Sequence, residues 1–168
     1  MTEPDAMMFE ASDWVPNHSV FPVLLYSAVL PGDDAHRAEA FEERFSQNGW
    51  QDIWQNGIFP YQHYHSRAHE VLGIAKGHVR LLIGGSTGKI IEAKAGDCLV
   101  LPAGTGHMRL EATADFLVIG AYPPGQEADI LTDAPTEAQK SSIATLPPPE
   151  TDPLFGPDGP LGELWRAG

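Results

Sequence analysis

Residues 63–70 read His63-Tyr64-His65-Ser66-Arg67-Ala68-His69-Glu70, and the fold follows from how they are read. His63 and His65 are two apart, so on an extended strand both imidazoles leave the same face while Tyr64 leaves the other. Glu70, beyond a turn at 66–68, can come back to the same pocket. His107 adds a third imidazole after a separate strand and a Pro102-Ala103-Gly104 turn. Three imidazoles and one carboxylate suit Fe, Mn, Ni, Cu or Zn. The His-x-His pair by itself is explained more simply by hydrogen-bonded histidines.

Outward from this stretch, residues 50–122 alternate short apolar runs with glycine-containing turns. The pattern predicts strands at 59–65, 70–75, 78–83, 89–93, 98–101, 108–112 and 116–122. A hairpin turn is expected at Gly84-Gly85-Ser86-Thr87-Gly88, because glycine supplies the positive φ that such turns need. No helix lies between these strands to make a parallel crossover, so the fold class is all-β, a sandwich, jelly roll or barrel. Before it, 20–30 reads as a buried strand. Asp33 or Asp34 then caps a helix, AHRAEAFEERFSQ, with Phe41 and Phe45 on one face and charges on the others. That helix is expected on the surface.

The bulk numbers agree with one domain. The chain has 168 residues, 42% of them hydrophobic, with 17 glycines and 15 prolines, a composition suited to short strands and turns. Ten basic against 23 acidic residues give a net charge of −13, which repels phosphate backbones and anionic lipid. Neither nucleic acid nor a membrane is expected as a partner. Cys98 is the one cysteine, which rules out an intramolecular disulfide and suggests a reducing compartment. The acidic amino terminus has neither a basic nor an apolar signal region, and no apolar run reaches the ~18 residues of a membrane span. A cytoplasmic protein is expected.

The spacing resembles that of the cupin superfamily. Gly57, His63, His65, Glu70 and Gly77 meet every position of the first cupin motif, G-x5-H-x-H-x4-E-x6-G. Gly96, Pro102, Gly104 and His107 meet the second, G-x5-P-x-G-x2-H-x3-N, with Glu111 where the family usually has asparagine. The spacer between the motifs, residues 78–95, is as short as in small bacterial cupins. The resemblance implies a double-stranded β-helix, a jelly-roll barrel with one short N-terminal helix and a Pro-rich C-terminal tail. It implies one divalent metal ion per chain, held by His63, His65, Glu70 and His107, and gives no substrate and no catalytic residue. Glu111 replaces a residue that is not a ligand, so it leaves the metal site intact.

Three segments are therefore expected. Residues 1–17 form a flexible arm, 18–125 the barrel with its preceding strand and helix, and 126–168 a Pro-rich extension docking on the barrel or a partner subunit. The ending LFGPDGPLGELW carries Phe155, Leu161, Leu164 and Trp165, which ought to be buried, either across the barrel rim as a lid or on the outer sheet. Apolar ends at 20–30 and 155–165 suggest a homodimer. Gly57, Gly77 and Gly96 are expected at turns where a Cβ would clash. His69, out of phase with Glu70, reads as a surface or supporting histidine, and His18, His36 and His78 as solvated. Cys98 reads as a small core residue. Arg109, two past His107, can anchor an anionic substrate, although an ion pair explains it and Arg67 more simply. Tyr61, Tyr122 and Trp54 can line the cavity or pack the core. The leading functional expectation is a metal-dependent enzyme of dioxygenase, isomerase or decarboxylase type acting on a small polar substrate. The alternatives are a non-catalytic small-ligand binder and a barrel stapled by a structural metal.

Overall fold

The alternation along one strand, β4 (Glu70–Lys76), lays out the architecture. Leu72 and Ile74 join one apolar cluster, Val71 and Ala75 another on the opposite face, as a two-residue period requires. The first cluster fills a barrel, and the second lies between the barrel wall and what covers it. The computed structural model describes residues 3–166.

Six strands form the larger sheet, in the order β1 (Asp5–Met7), β2 (Val23–Tyr26), β7 (Cys98–Leu101), β4, β9 (Leu117–Tyr122) and β3 (Gln51–Asn56). The smaller sheet runs β6 (Lys89–Lys94), β5 (His78–Ile83), β8 (His107–Ala112). All pairings are antiparallel. Leu72, Ile74, Leu99, Leu101 and Val118 of the larger sheet meet Val79, Leu81 and Ile83 of the smaller in one core. This is the expected jelly-roll β-barrel.

The strand expected at 59–65 is not there. Pro60 has no N–H to give a ladder, and this segment forms only the isolated bridges His63↔His107 and Tyr64↔Leu131, with single bonds from the Arg109 N–H to the Phe59 carbonyl and from the Gly104 N–H to the His65 carbonyl. The strand lies upstream as β3, a half-exposed edge whose register shifts beside Asp52, a residue at φ 56°. Its polar outer side hides it from a periodicity reading. At Gly77, with φ +81°, a Cβ would come within 2.4 Å of the Thr113 hydroxyl, as expected. At Gly57 a Cβ would meet nothing within 4 Å, so the clash expected there is absent.

The outer face of the larger sheet is covered by two pieces of chain. Helix α1 (Asp34–Gln47) is capped by Asp33, whose carboxylate accepts from the His36 N–H. It lies on the surface, yet Phe41 and Phe45 are wholly buried against the wall. Gly73 makes that approach possible, since a Cβ there would sit 2.7 Å from the Phe41 ring. Beside the helix lies the end of the chain. Leu154, Leu161 and Trp165 join Phe21, Leu24, Tyr26, Phe41 and Phe45 in one cluster. The Trp165 indole stacks on Phe21 at 5.2 Å and donates to the Pro22 carbonyl at 2.8 Å. Asp152, 1% exposed, accepts from the Tyr26 hydroxyl and from the N–H groups of Leu154 and Leu161. The ending packs on the outer sheet, and the lid reading fails. The extension also carries α2 (Glu137–Thr145), with a Thr136–Gln139 capping box, and the short α3 (Leu161–Leu164). The large apolar residues of 20–30 and 155–165 that suggested a dimer contact pack mostly against each other within one chain.

Residues 5–17, expected to be loose, are built into the barrel. β1 pairs with β2. Asn17 is buried, donates to the carbonyls of Glu10 and Gly84, and accepts from the Gly106 N–H. Its polarity serves the buried backbone of two loops rather than solvent.

His18, expected to be solvated, is inside, and so is His69, read as a surface or supporting histidine. His18 stacks on Phe21 at 4.5 Å, and its Nδ1 accepts from the N–H groups of Val20 and Phe21. His69 does face away from Glu70, but that face is covered by Trp165, whose ring lies 4.9 Å from the imidazole. Its Nδ1 accepts from the Ala103 N–H, and its Nε2–H donates to the Pro147 carbonyl. Burial holds both pKa values below 6.5, that of His69 at about 4. Between that value and the unfolded value of about 6.5, the unfolded chain takes up protons that the folded chain does not. Stability is therefore full above that window and falls as pH drops through it. Urea unfolding at pH 7.5 and pH 5 should show a lower midpoint at pH 5, and the drop should shrink in His69→Gln. An undiminished drop in that variant would show that other groups cause the loss.

Candidate metal centre

Three separate parts of the barrel meet at one end of its interior. His63 and His65 lie on the segment after β3, Glu70 opens β4 and His107 opens β8. The His63 and His107 backbones exchange both hydrogen bonds, at 3.3 and 3.0 Å, which locks the two segments side by side. One ring nitrogen from each of His63, His65 and His107 lies within 4.8 Å of the others, and all three residues are buried. These three histidines can hold a metal ion. Glu70 Oε1 is 3.3 Å from His65 Nε2 and 3.5 Å from His107 Nε2.

The other ring nitrogens fix the tautomers. His63 Nδ1–H donates to the Tyr61 carbonyl at 3.0 Å, His107 Nδ1–H to the Thr105 carbonyl at 2.9 Å, and His65 Nδ1–H to the Asp129 carbonyl. With the proton spent on Nδ1, a neutral imidazole leaves Nε2 as a bare acceptor. Three Nε2 lone pairs and an ionised carboxylate then converge in a buried space. Acceptors without a donor repel one another, and a cation relieves that repulsion.

The electrostatics run the same way for His63 and Glu70, and the opposite way for His65. Burial, then the neighbouring His107, pushes the His63 pKa down to about 3, keeping its ring neutral. For Glu70, burial opposes ionisation, but His65 and His107 outweigh it and hold the carboxyl well below the usual range. For His65, burial opposes protonation, and the Glu70 carboxylate outweighs it, so the pKa is raised.

A cavity of 380 Å³ opens beside the triad, within the range of small-molecule sites. Trp54 and Tyr122 line it, while Tyr61 is an exposed rim residue stacked on Phe59 at 4.9 Å. The Trp54 indole N–H donates to the Tyr122 hydroxyl at 3.1 Å, and burial, then the nearby Glu70 carboxylate, raises the phenol pKa. Arg109 lines the cavity too. Arg67 does not, and instead faces Asp129 at 3.8 Å. Glu111 is exposed and lies 3.7 Å from Arg80. His36 is exposed beside Asp33, and His78 is exposed. Cys98 is fully buried, and burial raises its thiol pKa.

Asp129 is the residue that spacing did not find. Besides the carbonyl that holds His65, its carboxylate accepts from the Ser66 N–H at 2.7 Å and from the Ser66 hydroxyl. Ala128 and Ile130, on either side of it, line the cavity. An aspartate in an acidic, proline-rich stretch carries no local signal for such a role. Loss of a group that orients a ligand histidine typically weakens metal binding 10–100-fold. Asp129→Ala keeps that carbonyl but removes the carboxylate that fastens it to Ser66, so the loosened carbonyl should weaken Ni²⁺ binding by roughly tenfold in competition with a chelator. An unchanged affinity would make Asp129 a loop anchor only.

No protein-family model matches the chain. It is 38% identical over 165 residues to the uncharacterized protein YjlB of Bacillus subtilis (strain 168), covering 97% of each. Solved structures give fainter likenesses. A DUF861 family protein from Thermotoga maritima is 19% identical, covering 58% of this chain and 96% of that one, with a TM-score of 0.35. Acireductone dioxygenase from Bacillus anthracis, solved with a cadmium ion in its active centre, is 19% identical, covering 66% and 79%, with a TM-score of 0.40.

Proposed function

The chain belongs to one family with YjlB of Bacillus subtilis and, by its motif residues and jelly-roll barrel, to the cupin superfamily, and we propose that it is a metal-dependent enzyme acting on a small polar substrate. One divalent ion is held by His63, His65, Glu70 and His107. The observation that carries this reading is the convergence of four acceptors with their protons drawn away, three by backbone carbonyls. That donor set fits Fe, Mn, Ni, Cu or Zn. When bound, such an ion supplies Lewis-acid or redox chemistry of the dioxygenase, isomerase or decarboxylase type.

The rest of the site prepares that chemistry. Trp54 holds the Tyr122 hydroxyl in the cavity that Glu70 lines, and the Asp129 carbonyl orients His65. The segment carrying Ala128 and Ile130 forms part of the cavity wall. An ion that only stapled the barrel would have no use for a cavity opening onto it, and this favours chemistry over structure. The buried thiol of Cys98 fits the reducing cytoplasm. Among the described residues, no helix is long and apolar enough to cross a membrane. A homodimer remains part of the reading. Light scattering that gives the 18.2 kDa of one chain at all concentrations would remove it.

The test is elemental analysis of protein purified without added metal, followed by a metabolite screen on the loaded form. One ion per chain and a bound or converted small molecule are expected. Protein that carries no ion and takes none up would overturn the reading.

A further inference from the structure

We propose that Arg109 makes the cavity a receptor for small carboxylates that carry a second oxygen donor, a reading that rests on the metal site above and names its substrate class. On β8, His107 and Arg109 are two apart, and they pair across the sheet with Ile83 and Leu81, both core residues of the barrel interior. Arg109 therefore leaves the strand on the same side as a triad histidine, about 7 Å further along, and it lines the cavity that the triad opens onto.

Its guanidinium is unclaimed. Arg37, Arg67, Arg80 and Arg166 each face a carboxylate, and Arg44 donates to the Leu154 carbonyl. Among the described residues, Arg109 has neither an ion pair nor a side-chain hydrogen bond, although acidic groups outnumber basic ones 23 to 10. The one carboxylate on the cavity wall, Glu70, is engaged by His65 and His107. A partly buried, unpaired cation costs free energy unless something satisfies it. The guanidinium fork fits a carboxylate with two parallel hydrogen bonds.

A ligand gripped there by its carboxylate can turn an adjacent carbonyl or hydroxyl oxygen toward the triad. Ile58, Phe59, Leu72 and Ile130 give the remaining wall an apolar surface. The occupant is thus a 2-oxo or 2-hydroxy acid with a short apolar body. The large negative charge of the chain repels such an acid everywhere else, so this cavity is where it gathers.

Full-length protein loaded with Ni²⁺ is titrated calorimetrically with 2-oxobutanoate and, in parallel, with the uncharged 2-oxobutanamide. Wild type should bind the acid at least about tenfold more tightly than the amide. Arg109→Gln should weaken the acid by roughly 30-fold and erase its advantage over the amide, and Arg109→Lys should recover part of it. Ni²⁺ content and melting temperature should not move in either variant, because Arg109 holds nothing in the protein. Wild type that takes up Ni²⁺ without favouring the acid, or Arg109→Gln that binds the acid as wild type does, overturns the proposal and leaves the metal site standing. A chain that takes up no Ni²⁺ overturns the metal site and this inference with it.

Discussion

His63→Ala and His107→Ala should each lose tightly bound metal, with affinity falling by roughly 100-fold or more, while His69→Ala keeps its ion. Removing a group that merely orients a ligand already costs 10–100-fold, and removing a ligand costs more. His63 and His107 are bound to each other through their backbones, so either truncation leaves that frame in place. His69 lies on the other face of β4, both its ring nitrogens used by Ala103 and Pro147. Its truncation should instead destabilise the fold by about 2–4 kcal/mol, from a cavity beneath Trp165 and an orphaned N–H. Metal per chain and the urea midpoint, measured on all three variants, separate the two effects. Loss of the ion in His69→Ala with retention in His63→Ala would reverse the assignment.

A chain ending at Pro149 should fail to fold or should aggregate. It lacks Leu154, Leu161 and Trp165, each worth about 1.5–3 kcal/mol when buried. Three such residues approach the whole stability of a domain, about 5–15 kcal/mol. The truncation also bares Phe21, Leu24 and Phe45 on the outer sheet and strips the Tyr26 hydroxyl of Asp152. Circular dichroism and light scattering decide the point. A soluble, cooperatively melting product that only exchanges cavity ligands faster would restore the lid reading.

The metal-site residues were legible because their signal is local. Extended backbone has a side-chain period of two, so His63 and His65 reach one cavity although only isolated bridges form there, and His69 departs from the face of Glu70 at the start of β4. The same period foresaw that Cys98 belongs to the core and that Arg109 follows His107. Turn glycines marked the ends of β5 and β6 for an equally local reason, the positive φ that the turn imposes.

What covers each face is a different kind of fact. His69 was placed on the correct side of its strand and read as a surface or supporting histidine, and only the fold decides for burial, because Trp165 lies 96 residues away in sequence and nothing near His69 announces it. Asp129 reaches Ser66 across 63 residues, and Asn17 reaches Gly106 across 89. Their polarity reads as solvent exposure until the fold supplies buried N–H and C=O groups for it to satisfy. Arg67 and Arg109 look alike in the sequence. Only the tertiary structure gives one a carboxylate and leaves the other facing a cavity, because pairing depends on which chain segments the fold brings within reach. The sequence by itself determined the barrel and the histidines gathered at its candidate metal site. Tertiary contact decided what those residues lean on and which cation was left free.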